Sequence, residues 1–260
     1  MIYIRLHQPS FWMLHFLLPL ILAFSLLLLY PLTGLDALLI DQYYSRHTLT
    51  FPLKNDWFLE NVMHIYLKYL IVAVGLMMLS FWLLGFLLRS NFRTKKTSSL
   101  GKVPTFQFAW LQNYHPQFLW LFVAMIISTT TISILKHFSE HACPWDLILY
   151  GGTQPLIALL GSLPIGATPG HCFPGGHASG GFALMAFYFG FRDTQPKLAT
   201  VGLMLGLLFG LAMGWTQMMR GAHFMSHNLW TAWIVWMILL LQYLLWPPSL
   251  VSQHNQPKQT

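Results

Sequence analysis

Residues 62–88 read VMHIYLKYLIVAVGLMMLSFWLLGFLL, a run with one Lys, no acid and no Pro. Such a run is long enough to cross a bilayer, because a transmembrane helix needs about 20 mainly apolar residues. Five other stretches qualify or nearly qualify, so the sequence predicts an all-α fold, a polytopic bundle of six transmembrane helices. The predicted spans are 11–30, 62–88, 117–135, 177–191, 198–218 and 229–246. The fourth is the shortest and is polar at its start.

The composition agrees with this interpretation. Of the 260 residues, 55% are hydrophobic and 8% are charged, whereas a soluble domain carries roughly 25% charged residues. So few charges leave too little polar surface for a soluble particle, and the bilayer is the expected solvent. No linker or clear repeat divides the chain, so 1–260 is interpreted as one domain. The first span is too long for a signal-peptide core and is expected to be retained.

The distribution of Lys and Arg predicts the orientation. The 89–116 loop contains five basic residues and no acid, which is typical of a cytoplasmic loop. With six spans, both termini then lie in the cytoplasm, and the net charge of +7 follows from this asymmetry without nucleic-acid binding. The basic residues assigned to this side are Arg5, Arg89, Arg93, Lys95, Lys96, Lys102, Arg192, Lys197 and Lys258.

The only two cysteines, Cys143 and Cys172, both fall in the outer 136–176 loop. That side is oxidising for a bacterial inner-membrane protein, so a disulfide is expected. It would close a loop of about 30 residues and stabilise the fold by about 3–4 kcal/mol. The alternative is a pair of free thiols.

Glycine spacing marks the fifth span. Gly202, Gly206, Gly210 and Gly214 are four residues apart and share one helix face. Small residues on one face allow close backbone approach, so this helix is predicted to pack tightly in the bundle centre. The alternative is a substrate path lined by the stripe. The apolar stretch 147–170 is broken by Gly and Pro, cannot be a continuous span, and is expected at the outer interface.

Three separated segments bring ionisable residues to the outer ends of the spans. They read KHFSEHACPWD at 136–146, FPGGHASGG at 173–181 and RGAHFMSHN at 220–228. The glycines expose backbone N–H groups and lead into a helix N-terminus, which favours anions. Lys136 and Arg220 suit phosphate oxygens, while His177 and His223 can transfer protons or attack. These residues predict an anion site, with phosphate as the natural ligand.

In order and position, the three segments resemble the motifs of the type 2 phosphatidic acid phosphatase superfamily. Those motifs are Lys, six residues, Arg-Pro; then Pro-Ser-Gly-His; then Ser-Arg, five residues, His, three residues, Asp. The matching residues are Lys136, Pro144, Pro174, Gly176, His177 and His223. The departures are Cys143 for Arg, Gly175 for Ser, Thr216 and Gln217 for Ser-Arg, and His227 for Asp. Arg220, three residues before His223, could supply the missing guanidinium.

The resemblance implies a six-helix core and a phosphohistidine mechanism. His223 would be the nucleophile, and His177 would protonate the leaving oxygen. Water would then release phosphate, and no metal or other cofactor is required. The groups expected to stabilise the phosphoryl oxygens are Lys136, Arg220 and the backbone N–H groups near Gly175 and Gly176.

The family Asp orients the nucleophilic histidine, as outer-shell partners commonly do. Losing such a carboxylate costs about four orders of magnitude in turnover in the serine-protease triad. Here the expected substitutes are His227, Asn228, Asp146 or a backbone carbonyl.

Other interpretations remain open. His137, Glu140 and His141 spell H-x-x-E-H, a zinc-enzyme pattern, although an interfacial or supporting role for His137 and His141 is the favoured interpretation. The protein could also bind a lipid phosphate without turnover, or pass the phosphoryl group to a second lipid. His64 is interpreted as an interfacial residue, and Lys68 as a side chain that snorkels or pairs within the bundle.

The resulting hypothesis is a multi-pass lipid phosphatase of the bacterial inner membrane, with its active site facing the periplasm. Undecaprenyl diphosphate, a phosphatidyl phosphate and the lipid A 1-phosphate are all compatible substrates by family analogy. The expected partners are the lipid substrate and the bilayer, with no nucleic acid and no evident protein partner.

Overall fold

A computed structural model of the protein describes residues 8–95 and 109–248. All regular structure in these two ranges is helical, and no β-strand is formed there. The predicted all-α class is confirmed for this part of the chain. The helices are α1 (Pro9–Leu28), α2 (Leu35–Asp41), α3 (π-helical at Phe58–Tyr66, then α-helical at Leu67–Lys95), α4 (Ala109–His137), α5 (Gly176–Ala183), α6 (Ala186–Phe191), α7 (Pro196–Met219) and α8 (Met225–Leu245).

Five of these helices are long and apolar enough to cross a membrane, namely α1, α3, α4, α7 and α8. Large apolar side chains on them point away from the bundle, as a lipid environment requires; examples are Leu22, Leu70, Ile126, Met204 and Leu241. The count of six spans and the cytoplasmic side of the termini stay predictions. Arg5, Lys96, Lys102 and Lys258, on which the orientation partly rests, lie outside the described residues.

The predicted span 177–191 differs from the expectation, because it is two short helices, α5 and α6, rather than one long helix. The chain turns at Leu184 and Met185, whose N–H groups donate to carbonyls three residues back at 3.1 and 2.9 Å. A 3₁₀-type turn therefore keeps the backbone hydrogen-bonded through the break. Nearly all of this segment is buried, so packing against its neighbours replaces helix length.

The glycine face of α7 packs directly against α5 and α6. A Cβ added at Gly202, Gly206 or Gly210 would lie 2.3, 2.6 or 2.2 Å from the nearest atom of the pair. The side chains met are those of Phe187, Met185 and Phe182, respectively. The predicted tight central packing of this helix is confirmed, and its glycines serve contact between helices.

The three polar segments meet at one end of the bundle, called here the motif end and defined by residues 136–146, 173–177 and 220–227. The N–H of Trp145 donates to the Gly221 carbonyl at 2.9 Å. Cys143 and Cys172 are joined by a disulfide. Around these links a small apolar cluster, including Ile40, Phe51, Leu147, Tyr150 and Phe224, packs α2 and the loops of the motif end against the ends of α7 and α8.

Candidate active site

His223 lies on the turn between α7 and α8 and is 4% exposed. Its Nδ1 is 3.4 Å from Nδ1 of His227 and 3.5 Å from Sγ of Cys172. Since His227 lies in the first turn of α8, one ring donates an N–H to the other across a single helical turn. With Nδ1 of His223 engaged in this way, Nε2 is the nitrogen left for chemistry.

The surroundings of His223 favour its uncharged form. Burial lowers the pKa of His223 well below its usual range, and electrostatic interactions with His227, Lys136 and His177 lower it further. The imidazole is therefore neutral at pH 7, which is the nucleophilic form. The same interactions place Lys136 and His177 close to His223, as the sequence predicted.

Two of the three proposed orienting side chains do not contact His223. Nδ2 of Asn228 donates to the Phe224 carbonyl at 3.3 Å. The Asp146 carboxylate accepts the Trp145 indole N–H at 2.9 Å and has no other side-chain hydrogen bond among the described residues. Asn228 is the residue after His227 in α8, and Asp146 belongs to the separate turn Pro144–Asp146. Of the three side chains, His227 is the one that lies beside His223 in the structure.

The start of α8, which carries His227, is fixed by a residue that the sequence interpretation left without a role. Asp36 of α2 accepts the backbone N–H of Ser226 at 2.9 Å and also the Ser226 hydroxyl. A carboxylate at a helix N-terminus satisfies an unpaired N–H and opposes the helix dipole. Asp36 therefore positions the helical turn on which His227 lies.

Gly175 replaces the Ser of the family motif for a steric reason. A Cβ added there would lie 2.7 Å from Oδ1 of Asn228. The Asn228 side chain cannot move away, because Gly214 lies close against its other side. A Cβ added at Gly214 would lie only 2.5 Å from Asn228 Cγ. The Gly175 N–H points towards the His227 carbonyl at 3.4 Å, so it does not serve as the free phosphate donor predicted from the sequence.

Lys136 and Gly176 together form the anion-binding part of the site. Gly176 is the first residue of α5, where backbone N–H groups have no acceptor within the helix. A Cβ added at Gly176 would lie 3.4 Å from Cδ and 3.8 Å from Nζ of Lys136. The ammonium group therefore lies directly beside the N-terminus of α5. Both features attract an anion to the same place.

Arg220 is held by the loop before α3 and by α3 itself. Its Nε donates to the Lys54 carbonyl at 2.8 Å, and its Nη2 lies 3.7 Å from Oε2 of Glu60. Lys54 in turn places its ammonium 4.5 Å from the centre of the Trp145 ring. Arg220 thus reaches the motif end as predicted, but it already has a carboxylate partner.

His177 makes its closest contacts with α3, which the sequence interpretation did not include in the site. Its Nε2 donates to the Met63 carbonyl at 2.9 Å. Its ring stacks on His64 with centres 4.1 Å apart and planes within 3°. His64 is therefore a direct neighbour of His177, a contact that the sequence interpretation did not include. The signal for it was a His and a Lys, His64 and Lys68, one turn apart in an otherwise apolar span.

The zinc-type pattern at 137–141 is not assembled into one site. Helix α4 ends at His137, whose ring stacks on His171. Glu140 accepts the Leu163 N–H at 3.0 Å, and Nε2 of His141 hydrogen-bonds to the Ala158 carbonyl at 3.3 Å. A second set of potential ligand atoms, within 4.8 Å of one another, comes from Cys172, His223 and His227. The Cys172 sulfur is in the disulfide, which leaves two imidazoles.

Two neighbouring cavities lie beside the motif end and along the bundle. A cavity of about 450 Å³ is lined by His141, His227, Phe173 and Asp36. A larger cavity of about 700 Å³ lies between α1, α7 and α8 and is almost wholly apolar. The two share Leu26 and Tyr30 in their linings.

Comparison with known proteins identifies the class to which this fold and site belong. The family model of the PAP2 superfamily matches residues 117–249, which include most of α4, all of α5 to α8 and all three motif segments. No curated protein and no solved structure matches the chain. The chain belongs to the PAP2 superfamily, and the family predicted from the motifs is confirmed. Helices α1 to α3 lie outside the matched range.

Proposed function

We propose that the protein is a membrane lipid phosphatase that cleaves a phosphate or diphosphate monoester of a long-chain lipid through a phosphohistidine on His223. Membership of the PAP2 superfamily supports phosphatase chemistry in general. The specific proposal rests on one observation, the environment of His223. Its ring is buried, uncharged and held at Nδ1 by His227, with Lys136 close by.

The mechanism has two steps. In the first, Nε2 of His223 forms a bond to phosphorus as the bond from phosphorus to the leaving oxygen breaks, and that oxygen receives a proton from His177. Because Nε2 of His177 donates to the Met63 carbonyl, the transferred proton is the one on Nδ1. Lys136 and the N-terminus of α5 stabilise charge on the non-bridging oxygens.

In the second step, a water molecule attacks phosphorus and loses a proton to His177. The bond from phosphorus to His223 breaks, which releases inorganic phosphate and restores both histidines. The protonated His177 is then ready to act as an acid again. None of these steps draws on a metal or a further cofactor.

A long-chain lipid substrate is supported by the two connected cavities. The apolar cavity between α1, α7 and α8 suits hydrocarbon, and its neighbour reaches His227. A chain in the larger cavity would place its polar head towards the motif end. The proposal includes undecaprenyl diphosphate, phosphatidyl phosphate and the lipid A 1-phosphate as candidates.

We place the motif end on the periplasmic side of a bacterial inner membrane. The Lys and Arg distribution supports this orientation. The disulfide between Cys143 and Cys172 supports it independently, because such bonds persist in oxidising compartments.

The experiment that tests the function is phosphate release from a panel of these lipids by the purified protein in detergent or nanodiscs. Wild type is compared with His223→Ala, with His177→Ala and with His47→Ala, which alters an exposed histidine of an outer loop. We expect release by wild type and His47→Ala and loss in the other two variants. Full activity in both site variants would overturn the mechanism.

The same assay separates the two alternatives. Appearance of a doubly phosphorylated lipid without free phosphate would show phosphoryl transfer to a second lipid. Binding of a phospholipid with no turnover, equal in wild type and His223→Ala, would show a non-catalytic member. Trapping of an acid-labile phosphoryl group on wild type but not on His223→Ala would support the covalent intermediate.

A further inference from the structure

Helix α3 lies outside the range matched by the family, yet it provides the immediate surroundings of His177. Two consecutive residues of its π-helical start make the contacts: the Met63 carbonyl accepts the Nε2 N–H, and the His64 ring covers one face of the imidazole. π-Helical turns are rare and occur often at functional sites. Here the turn directs a carbonyl and a ring to the same partner.

The geometry of the ring pair restricts how it carries charge. With centres 4.1 Å apart and planes within 3°, the rings cannot hydrogen-bond to each other, since their nitrogens lie in parallel planes. Two imidazolium cations at this separation would repel strongly. The stacked rings of His64 and His177 therefore accommodate one positive charge between them. One ring stays neutral and packs against the other, which can be charged.

His64 is suited to be the neutral ring. Its Nδ1 is buried and has no hydrogen-bond partner in the described part of the chain. The charged groups that act on His64 are Arg220, Lys68 and Glu60. The two cations oppose a further positive charge on the ring, and Glu60 is already paired with Arg220.

Gln217 of α7 completes the surroundings of His64. It is 3% exposed, and its side-chain amide interacts with His64. Gln217 occupies the position of an Arg in the family motif. A neutral amide at this position adds no third cation, beyond Arg220 and Lys68, beside the two stacked rings. It is therefore compatible with the presence of His64 next to His177.

We propose that His64 is a positioning residue for His177. Its ring fixes the plane of the His177 imidazole, while the neighbouring Met63 carbonyl keeps a hydrogen on Nε2. Nδ1 is then the nitrogen that takes up and releases the transferable proton. The role in turnover rests on the function proposed above. The geometric role does not, because it concerns the resting protein.

The first test is kinetic and uses His64→Ala, His64→Phe and the matched control His47→Ala. We expect His64→Ala to lower kcat by about 10- to 100-fold, as loss of an outer-shell partner does, with little change in KM. Phe supplies a flat ring without a titratable group, so His64→Phe should recover most of the lost kcat. Equal kcat in His64→Ala and His47→Ala would overturn the proposal.

A double-mutant cycle separates positioning from a general structural effect. Once His177 is gone, His64 has nothing to position, so the double variant His64→Ala/His177→Ala should be no less active than His177→Ala. A further loss in the double variant, of the same size as in His64→Ala alone, would show that His64 acts elsewhere and would contradict the proposal.

The second test needs no turnover. In protein labelled with ¹⁵N-histidine, the ring resonances of His177 report its tautomer, and the His177→Ala variant assigns them. At a pH at which the His177 ring is neutral, we expect hydrogen on Nε2 in wild type and in His64→Phe. In His64→Ala the ring is no longer held in the plane that reaches the Met63 carbonyl, so we expect a mixture of tautomers. An unchanged tautomer in His64→Ala would refute the positioning role, whereas absence of phosphate release by wild type would count only against the proposed function.

Discussion

Nδ1 of His227 lies 3.4 Å from Nδ1 of His223. The family pattern has Asp at this position, so a neutral ring has replaced a carboxylate as the group that holds His223, the proposed nucleophile. An imidazole can accept the Nδ1 hydrogen of His223 and fix its tautomer, as a carboxylate does. It does not, however, offset the positive charge that develops on a phosphorylated ring.

His227 is therefore expected to be necessary for full activity, although a carboxylate at this position should support activity at least as well. We predict that His227→Ala lowers kcat by about 10- to 100-fold, since the Nδ1 partner is lost. His227→Asp should equal or exceed wild type, because a carboxylate both accepts the hydrogen and stabilises the charged intermediate. The measurement is kcat for lipid phosphate release, and wild-type activity in His227→Ala would show that another group orients His223.

The low pKa of His223 predicts a specific pH dependence of stability. Folding keeps His223 neutral below pH 6.5, the usual value for an imidazole, while the unfolded chain takes up a proton there. The unfolded state thus binds more protons, so this contribution to stability is complete above about pH 6.5 and is lost as pH falls further. Thermal unfolding of wild type and His223→Gln at pH 7.5 and pH 5 measures it.

Wild type should lose more thermal stability than His223→Gln between these two pH values. Equal losses would mean that folding does not lower the pKa of His223. The variant His47→Ala serves as the control, because His47 is exposed.

Restoring the family Ser at Gly175 should be harmful here. The backbone at Gly175 (φ −68°) accepts any residue, but the added Cβ would lie 2.7 Å from Asn228 Oδ1. We predict that Gly175→Ser lowers the free energy of unfolding by about 1–3 kcal/mol through overpacking. Denaturant titration of the purified protein measures the change.

A second substitution should relieve this strain. Gly175→Ser/Asn228→Ala should be less destabilised than the sum of its two single variants, because the colliding oxygen has been removed. Gly180→Ala is the matched control, since its added Cβ would meet nothing closer than 3.7 Å. Strict additivity in the double variant would show that Asn228 is not the obstacle.

The disulfide is expected to contribute both to stability and to the site. It closes a loop across 29 positions of sequence, which corresponds to about 3–4 kcal/mol in the chain-entropy model. Cys172 Sγ also lies 3.5 Å from Nδ1 of His223. We predict that Cys143→Ser/Cys172→Ser lowers both the unfolding temperature and kcat, and that unreduced wild type resists thiol labelling. Quantitative labelling would contradict the disulfide.

The sequence was sufficient to predict the segments that carry chemistry and the end of the bundle at which they meet. Lys136, His177, Arg220 and His223 are recognisable because ionisable residues are costly in apolar spans and because their spacing resembles known motifs. The close packing of α7 was also predictable, since glycines four residues apart share a face.

The contribution of α3 was not predictable in the same way. Whether His64 faces lipid or the bundle depends on the rotation of α3, which a uniformly apolar helix does not reveal. The π-helical start adds a further change of direction that no residue pattern signals. Likewise, the break between α5 and α6 depends on burial by neighbouring helices, which is a property of the assembled bundle.

The short α5 and α6 helices have a consequence for how the protein is made. Each is too short to cross a bilayer alone, and their partners on the glycine face of α7 are synthesised after them. Helices α5 and α6 can therefore pack in their final positions only when the hairpin formed by α7 and α8 has been inserted. His177, carried on α5, and His223, carried on that hairpin, therefore come together late in biogenesis. A nascent chain on the ribosome should therefore be inactive until α8 has emerged.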